Sequence, residues 1–213
     1  MAIHILSTER LREGSDALIQ IDPDFQKIVD QYGYSPFYKR ETGFNTLLWI
    51  ILEQQVSLDS AKAAYFKLVD RLDGNLTPQT FLTLDDDELK AVGFSRQKTR
   101  YGRELSTALV HGYLDLDRLE SMPDDKVRET LIKIKGIGPW TANIYLLMAL
   151  ARQDIWPAGD IALEEGIKQL KGLEKRPKKD DFVAWGEKWR PWRSVAAHLL
   201  WHYYLCLRGR SSQ

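Results

Sequence analysis

The chain has 213 residues, with 30 basic and 30 acidic side chains and a formal net charge of zero. That length supports one large domain or two small lobes around a core that needs no staples, and the neutral balance excludes a protein that coats nucleic acid by charge alone. The single cysteine, Cys206, excludes a disulfide framework, a zinc site of the four-ligand kind and an all-cysteine iron–sulfur cluster within one chain, and fits a reducing setting. No apolar run nears membrane-spanning length and no secretory signal is apparent, so no membrane association is expected.

In chain order, residues 24–32 read as a short helix closed by the turn Gly33-Tyr34-Ser35-Pro36. Phe44 to Leu52 is apolar nearly all round, the pattern of a helix in the middle of a core. Gln54-Gln55-Val56-Ser57 interrupts that run, and Ser57 is placed to cap an amphipathic helix from about Leu58 to Leu72, with Ala61, Ala64, Tyr65, Leu68, Val69 and Leu72 facing inward. Thr77-Pro78 and Leu84-Asp85 begin two short helices. No period-two strand or internal repeat is found.

Charge is segregated along the chain. Arg96, Lys98, Arg100 and Arg103 fall in a stretch without acids, and residues 168–193 carry nine basic side chains against four acidic ones, whereas Asp85-Asp86-Asp87-Glu88 concentrates acid. Such runs fit a phosphate footprint and an ordinary solvated face about equally.

The most informative stretch is Leu131 to Ala142. Ser121 with Asp124 makes a helix-start signal, and Val127, Leu131, Ile132 and Ile134 recur at helical spacing. Lys135-Gly136 stops that helix. Gly136-Ile137-Gly138 allows a sharp turn, and Pro139 is preset for the first turn of a second helix running to about Leu150. A helix start without a capping side chain presents backbone N–H groups suited to a phosphate; composition alone favours an ordinary helix connection. Downstream, Asp160 follows Gly159 in the position of a helix N-cap. Four of the seven tryptophans lie between Trp185 and Trp201, where core packing is the ordinary explanation. His198 and His202, four apart with no third ligand in view, read as groups for packing or phosphate contact.

Lys135-Gly136-Ile137-Gly138-Pro139-Trp140-Thr141-Ala142, with Asp160 twenty positions beyond Trp140, resembles the helix-hairpin-helix DNA glycosylases, in particular the alkylbase branch of the 3-methyladenine DNA glycosylase II type, over roughly residues 40–202. The resemblance implies an all-α fold of two helical lobes facing each other across a cleft. One lobe would comprise residues 35–152 and the other residues 1–34 plus 153–213, the compact form without the sheet domain that precedes the helical part in a bacterial relative. Asp160 matches the catalytic aspartate, and Trp140 and Trp201 match positions lining the base pocket. Gly136, Gly138 and Thr141 would hold a DNA phosphate. Gln55, with Gln54 as the neighbouring candidate, matches the side chain that fills the gap left by an extruded nucleotide. Relatives can hold a monovalent cation at the hairpin, which here would be Na+ or K+ on the backbone carbonyls of Ile132, Ile134 and Ile137; no cofactor is required and no iron–sulfur cluster is expected. Bifunctional members place a lysine where this chain has Trp140, which implies a monofunctional enzyme. Ile144 stands where some relatives carry another pocket aromatic, which bears on substrate preference.

The expected function is excision of alkylated purines from double-stranded DNA by a monomer, in the nucleoid of a bacterial cytoplasm or in a eukaryotic nucleus. The alternatives are a glycosylase for an oxidised or mismatched base, a helix-hairpin-helix module that only binds DNA, and a helical protein-interaction domain.

Overall fold

The computed structural model describes residues 3–210, and within them every regular element is a helix; the one extended feature is an isolated antiparallel bridge between Ile5 and Arg152. The all-α expectation therefore holds. In chain order the helices are α1 (Thr8–Ile21), α2 (Phe25–Tyr32), α3 (Phe44–Glu53), α4 (Leu58–Arg71), α5 (Pro78–Thr83), α6 (Asp86–Ala91), α7 (Arg96–Val110), α8 (Asp124–Leu131), α9 (Pro139–Ile144), α10 (Ile161–Lys171), α11 (Lys179–Lys188) and α12 (Arg193–Leu207). They form two compact units, residues 40–150 and residues 1–39 with 151–213.

In the unit of residues 40–150, α3 is the core helix that its composition predicts: Leu47, Leu48, Ile50 and Ile51 are wholly buried. Its end is pinned by Arg40, whose two terminal nitrogens donate to both oxygens of Glu53 at 3.0 and 2.6 Å. Ser57 caps α4 as expected, its Oγ accepting from the Ser60 N–H at 3.2 Å. Thr77 and Asp85 close full capping boxes on α5 and α6, each satisfying two amides that a helix start otherwise leaves unmet.

Three expectations are corrected in this unit. Helix α8 ends at Leu131 with Ile132 at its C-cap, one turn short of the expected stop at Lys135-Gly136. Ser121 does not start α8; it ends a 3-10 turn (Asp117–Ser121), and Pro123 takes the N-cap position. Proline fixes φ and lacks an N–H, so the chain turns there without a side-chain cap. The second hairpin helix does not run unbroken to Leu150. After Ile144 it widens into one π turn (Tyr145–Ala149), closed by the Leu150 N–H to the Tyr145 carbonyl at 3.0 Å. The buried Tyr145 fixes this turn, its hydroxyl accepting from the Gly43 N–H at 3.0 Å.

In the other unit, α12 is buried from Ser194 through His202 and α10 packs along it. Gly166 makes that approach possible: a β-carbon there would sit 3.1 Å from the Leu200 carbonyl oxygen. Helix α1, which the sequence reading did not assign, starts at a Ser7 cap and buries Leu11 and Leu18. Trp189 is wholly buried, edge-on to Phe25 and Trp156, and its Nε1 donates to Asp22 Oδ2 at 3.0 Å. Asp22 also accepts from Lys171 Nζ at 2.5 and 2.7 Å, so one half-buried carboxylate ties the end of α1 to α10 and to the chain leaving α11.

His202 hydrogen-bonds the Tyr32 carbonyl at 3.1 Å, a packing role. His198 is wholly buried, stacked on Tyr38 and edge-on to Phe37 and Trp201, and neither ring nitrogen has a hydrogen-bond partner. Burial pulls its pKa down to about 3. The unfolded chain takes up this proton as pH falls below about 6.5, while the folded chain stays neutral. Stability from this site is therefore complete above pH 6.5 and declines as pH falls towards 3, by at most about 1.4 kcal/mol per pH unit. Melting curves between pH 7 and 5 are expected to show a shallower pH dependence in His198→Leu than in the parent protein; equal slopes would contradict this assignment.

Candidate active site

In the unit of residues 40–150 the chain leaves α8 through two tight steps, the Ile134 N–H to the Leu131 carbonyl and the Ile137 N–H to the Ile134 carbonyl, both 3.0 Å. The two hairpin glycines do different work. Gly136 has φ +100°, and a β-carbon there would collide with the Tyr101 ring of α7, so both conformation and packing demand glycine. Gly138 is extended (φ −92°, ψ 179°) at the N-cap of α9, with open space where a β-carbon would stand and no capping side chain. Pro139 follows at the first helical position. The start of α9 is thus an uncapped helix end with nothing built in front of it, as an anion site needs.

The polar break after α3 serves this hairpin directly. Gln54 Nε2 donates to the Gly136 carbonyl at 2.9 Å and to Thr141 Oγ1 at 3.0 Å, bracing the turn from behind. Thr141 itself is 1% exposed, so its side chain is part of the brace and only its backbone belongs to the helix start. Gln55 is exposed and left-handed, φ 56°, a conformation that costs a non-glycine residue about 1–2 kcal/mol. Val56 and Leu58 beside it are also exposed. Trp140 is half-buried, Lys133 and Lys135 are exposed, and Ile144 is in the core. Of the Ile132, Ile134 and Ile137 carbonyls, only that of Ile134 takes a backbone N–H among the described residues.

In the unit of residues 1–39 and 151–213, the approach to Asp160 is a short rigid loop. Ser194 Oγ, at the start of α12, donates to the Arg152 carbonyl at 2.6 Å and accepts from the Ile155 N–H at 3.0 Å. Arg193 clamps Asp154 through Nε at 2.8 Å. Gly159 takes φ +88°, and the Asp160 N–H turns back to the Pro157 carbonyl at 3.2 Å. Asp160 then caps α10, its Oδ1 accepting from the Leu163 N–H at 3.0 Å and from Trp201 Nε1 at 3.2 Å.

The bond from Trp201 is the feature that sequence reasoning missed. Capping and family position could be read for Asp160, and an aromatic wall for Trp201, but no spacing rule links residues 41 apart. Asp160 is 7% and Trp201 8% exposed, so the carboxyl oxygen that takes both of these bonds is fixed in a nearly dry setting where electrostatic interactions are strong. Behind Trp201 stands His198, which burial keeps neutral. Along α10, Glu164 is pushed up by burial, with the Asp160 charge adding to the rise and Arg176 opposing it. A fixed carboxylate flanked by an indole can stabilise positive charge developing on a sugar, orient a water and accept its proton. No cluster of three or more His, Cys, Asp or Glu side chains suited to a metal is present among the described residues.

Comparison with known proteins gives this arrangement its context. Residues 48–191 match the model of the HhH-GPD superfamily base excision DNA repair proteins. The chain is 32% identical over 181 residues to the putative DNA-3-methyladenine glycosylase YfjP of Bacillus subtilis, covering 82% of this chain and 63% of that one. It is 28% identical to DNA-3-methyladenine glycosylase 1 of Schizosaccharomyces pombe, covering 82% of this chain and 78% of that one. Among solved structures, the S. pombe 3-methyladenine DNA glycosylase Mag1 in complex with abasic DNA superposes with a TM-score of 0.84 at 27% identity, over 89% of this chain and 95% of that one. With a family match over more than half its length, the chain belongs to the HhH-GPD superfamily of base excision DNA repair proteins.

Proposed function

We propose that this protein is a monofunctional DNA glycosylase that releases alkylated purines, of the 3-methyladenine and 7-methylguanine type, from duplex DNA and leaves an abasic site. The observation that carries the reading is the buried Asp160 carboxylate gripped by Leu163 and Trp201. The names of the B. subtilis and S. pombe relatives support the substrate class.

The target sugar bond is out of reach inside the stack, so the nucleotide must first leave it, at a cost of roughly a few kcal/mol that is least for damaged bases. Gln55 suits the task of filling the gap: it is exposed and left-handed beside Val56 and Leu58, and its neighbour Gln54 is anchored on the Gly136 carbonyl. The start of α9, with the backbone of Gly136, Gly138 and Thr141, holds a phosphate and orients the strand. The carbonyls of Ile132, Ile134 and Ile137 are oxygen donors of the kind a Na+ or K+ ion takes, and such an ion would add positive charge at that phosphate. Trp201, bonded to Asp160, offers an electron-rich ring to a cationic base, worth on the order of 2 kcal/mol when desolvated, and the family resemblance assigns Trp140 the same chemistry.

An alkylated purine carries positive charge and departs neutral, taking the electrons of the N-glycosidic bond. Asp160 then faces the developing charge at C1′, orients the attacking water and accepts its proton, which closes the balance of bonds and charge. Holding Asp160 by N–H donors keeps its negative oxygen in place with no reorganisation during the step. By the family resemblance, Trp140 stands where a lyase would need an amine, and the exposed Lys133 and Lys135 precede the turn.

The reading is tested by single-turnover release of methylated purines from duplex DNA. Asp160→Asn, which keeps the cap and an acceptor for Trp201, is expected to bind DNA and melt like the parent but to release base about 10²- to 10⁴-fold more slowly. An unchanged rate would remove Asp160 from the chemistry, and release of oxidised or mismatched bases in preference would move the substrate class. Strand breaks should appear only after alkali, and borohydride should trap no covalent complex; a trapped complex would overturn the monofunctional assignment.

A further inference from the structure

Residues 168–193 carry nine basic side chains, and the structure separates them into two groups. Five are spent on internal ion pairs: Lys168 with Glu165, Lys171 with Asp22 and Asp24, Arg176 with Glu164, and Arg190 and Arg193 with Asp154 and Glu187. The other four, Lys175, Lys178, Lys179 and Lys188, are exposed and make no ion pair among the described residues. Three of these four converge. Lys175, Lys178 and Lys188 line a groove of about 460 Å3 together with Arg176 and Trp185, with Asp181 the one acid on its wall.

The floor is aromatic, with Lys188 Nζ lying 4.3 Å from the centre of the Trp185 ring. Helix α11 opens beside the groove at Lys178 without a capping side chain, its dipole adding positive potential there against the Asp180 and Asp181 carboxylates of its first turn. The groove also has a definite relation to Asp160. Arg176 on its rim pairs at 3.7 Å with Glu164, one helical turn along α10 from Asp160, and the Glu164 N–H donates to the Asp160 carbonyl.

We propose that this groove is a second DNA-backbone site, in which Lys175, Lys178 and Lys188 receive phosphates of the strand whose sugar is presented to Asp160. The inference rests on the DNA reading above and adds to it a contact set in the unit that carries the carboxylate, independent of the hairpin. Phosphate is the chemistry that fits: flexible ammonium groups on an open groove pair with anions that recur along a chain, and such contacts position the strand without reading its sequence. A protein of zero net charge then binds DNA through local patches of unpaired cations.

The test is the salt dependence of binding to a duplex containing a tetrahydrofuran abasic-site analogue, followed by fluorescence anisotropy between 50 and 300 mM KCl. Each lost phosphate contact lowers the slope of log K against log salt by about 0.9. Lys175→Ala/Lys178→Ala is expected to reduce the slope by about two and Lys188→Ala by about one, while Lys179→Ala, outside the groove, leaves it within a few tenths of the parent value. Equal slopes for the parent and the double variant would overturn the groove assignment. So would a groove that binds an acidic peptide while the DNA slope stays unchanged on mutation. Absence of DNA binding by the parent protein itself would instead defeat the glycosylase reading on which the inference stands.

Discussion

The hydrogen bond from Trp201 to Asp160 is the interaction on which the rest of its unit depends. A carboxylate at a helix N-cap is held at one oxygen by the helix it caps, here through Leu163. The second donor comes from α12, and it can reach only because α10 and α12 lie close together. Gly166 permits that approach, since any side chain there would press on Leu200. The lacing of Ser194 and Arg193 to residues 152–155 sets where the loop begins, and the turn through Gly159 sets where it ends. Each of these constraints serves the position of one oxygen atom. The energy for it comes from ordinary core burial, and the far end of α10 is held by Lys171 on Asp22, the carboxylate that the buried Trp189 also bonds.

The unit of residues 40–150 follows the same logic with backbone groups in place of a side chain. The surface to which we assign phosphate binding is an uncapped helix start, which has no side chain in front of it. It is held from behind by Gln54, on the Gly136 carbonyl and the Thr141 hydroxyl, and by the Tyr101 ring packed against Gly136. Next to the brace, Gln55 takes a strained left-handed backbone and carries an exposed side chain. A strained residue at an exposed tip, supported by a rigid base, is the usual company of a working site.

Much of this was legible in the residues. Apolar periodicity marked α3 and α4, and the Ser57, Thr77, Asp85 and Asp160 caps are local rules that local sequence satisfies. The Gly-x-Gly turn announced the hairpin, although the two glycines proved unequal: Gly136 is required by φ and by Tyr101, Gly138 by neither. What was hidden lies in distance along the chain. Gln54 reads as a helix end until Gly136, 82 positions later, is placed beside it. The π turn at Tyr145 depends on Gly43, and the start of α8 was misplaced because Ser121 offers a capping signal that Pro123 pre-empts. The basic run of residues 168–193 was ambiguous for the same reason, since only the fold decides which cations have internal partners.

Trp201 acts on Asp160 through its N–H and not only as an aromatic wall. Trp201→Phe keeps a ring and removes the donor. Single-turnover base release by this variant at saturating protein, with DNA affinity and melting temperature measured alongside, tests the claim most directly. Loss of one hydrogen bond to a charged oxygen corresponds to about 1.5–3 kcal/mol, so a rate reduced about 10- to 100-fold with affinity and melting little changed is the predicted result. A rate equal to that of the parent protein would contradict it.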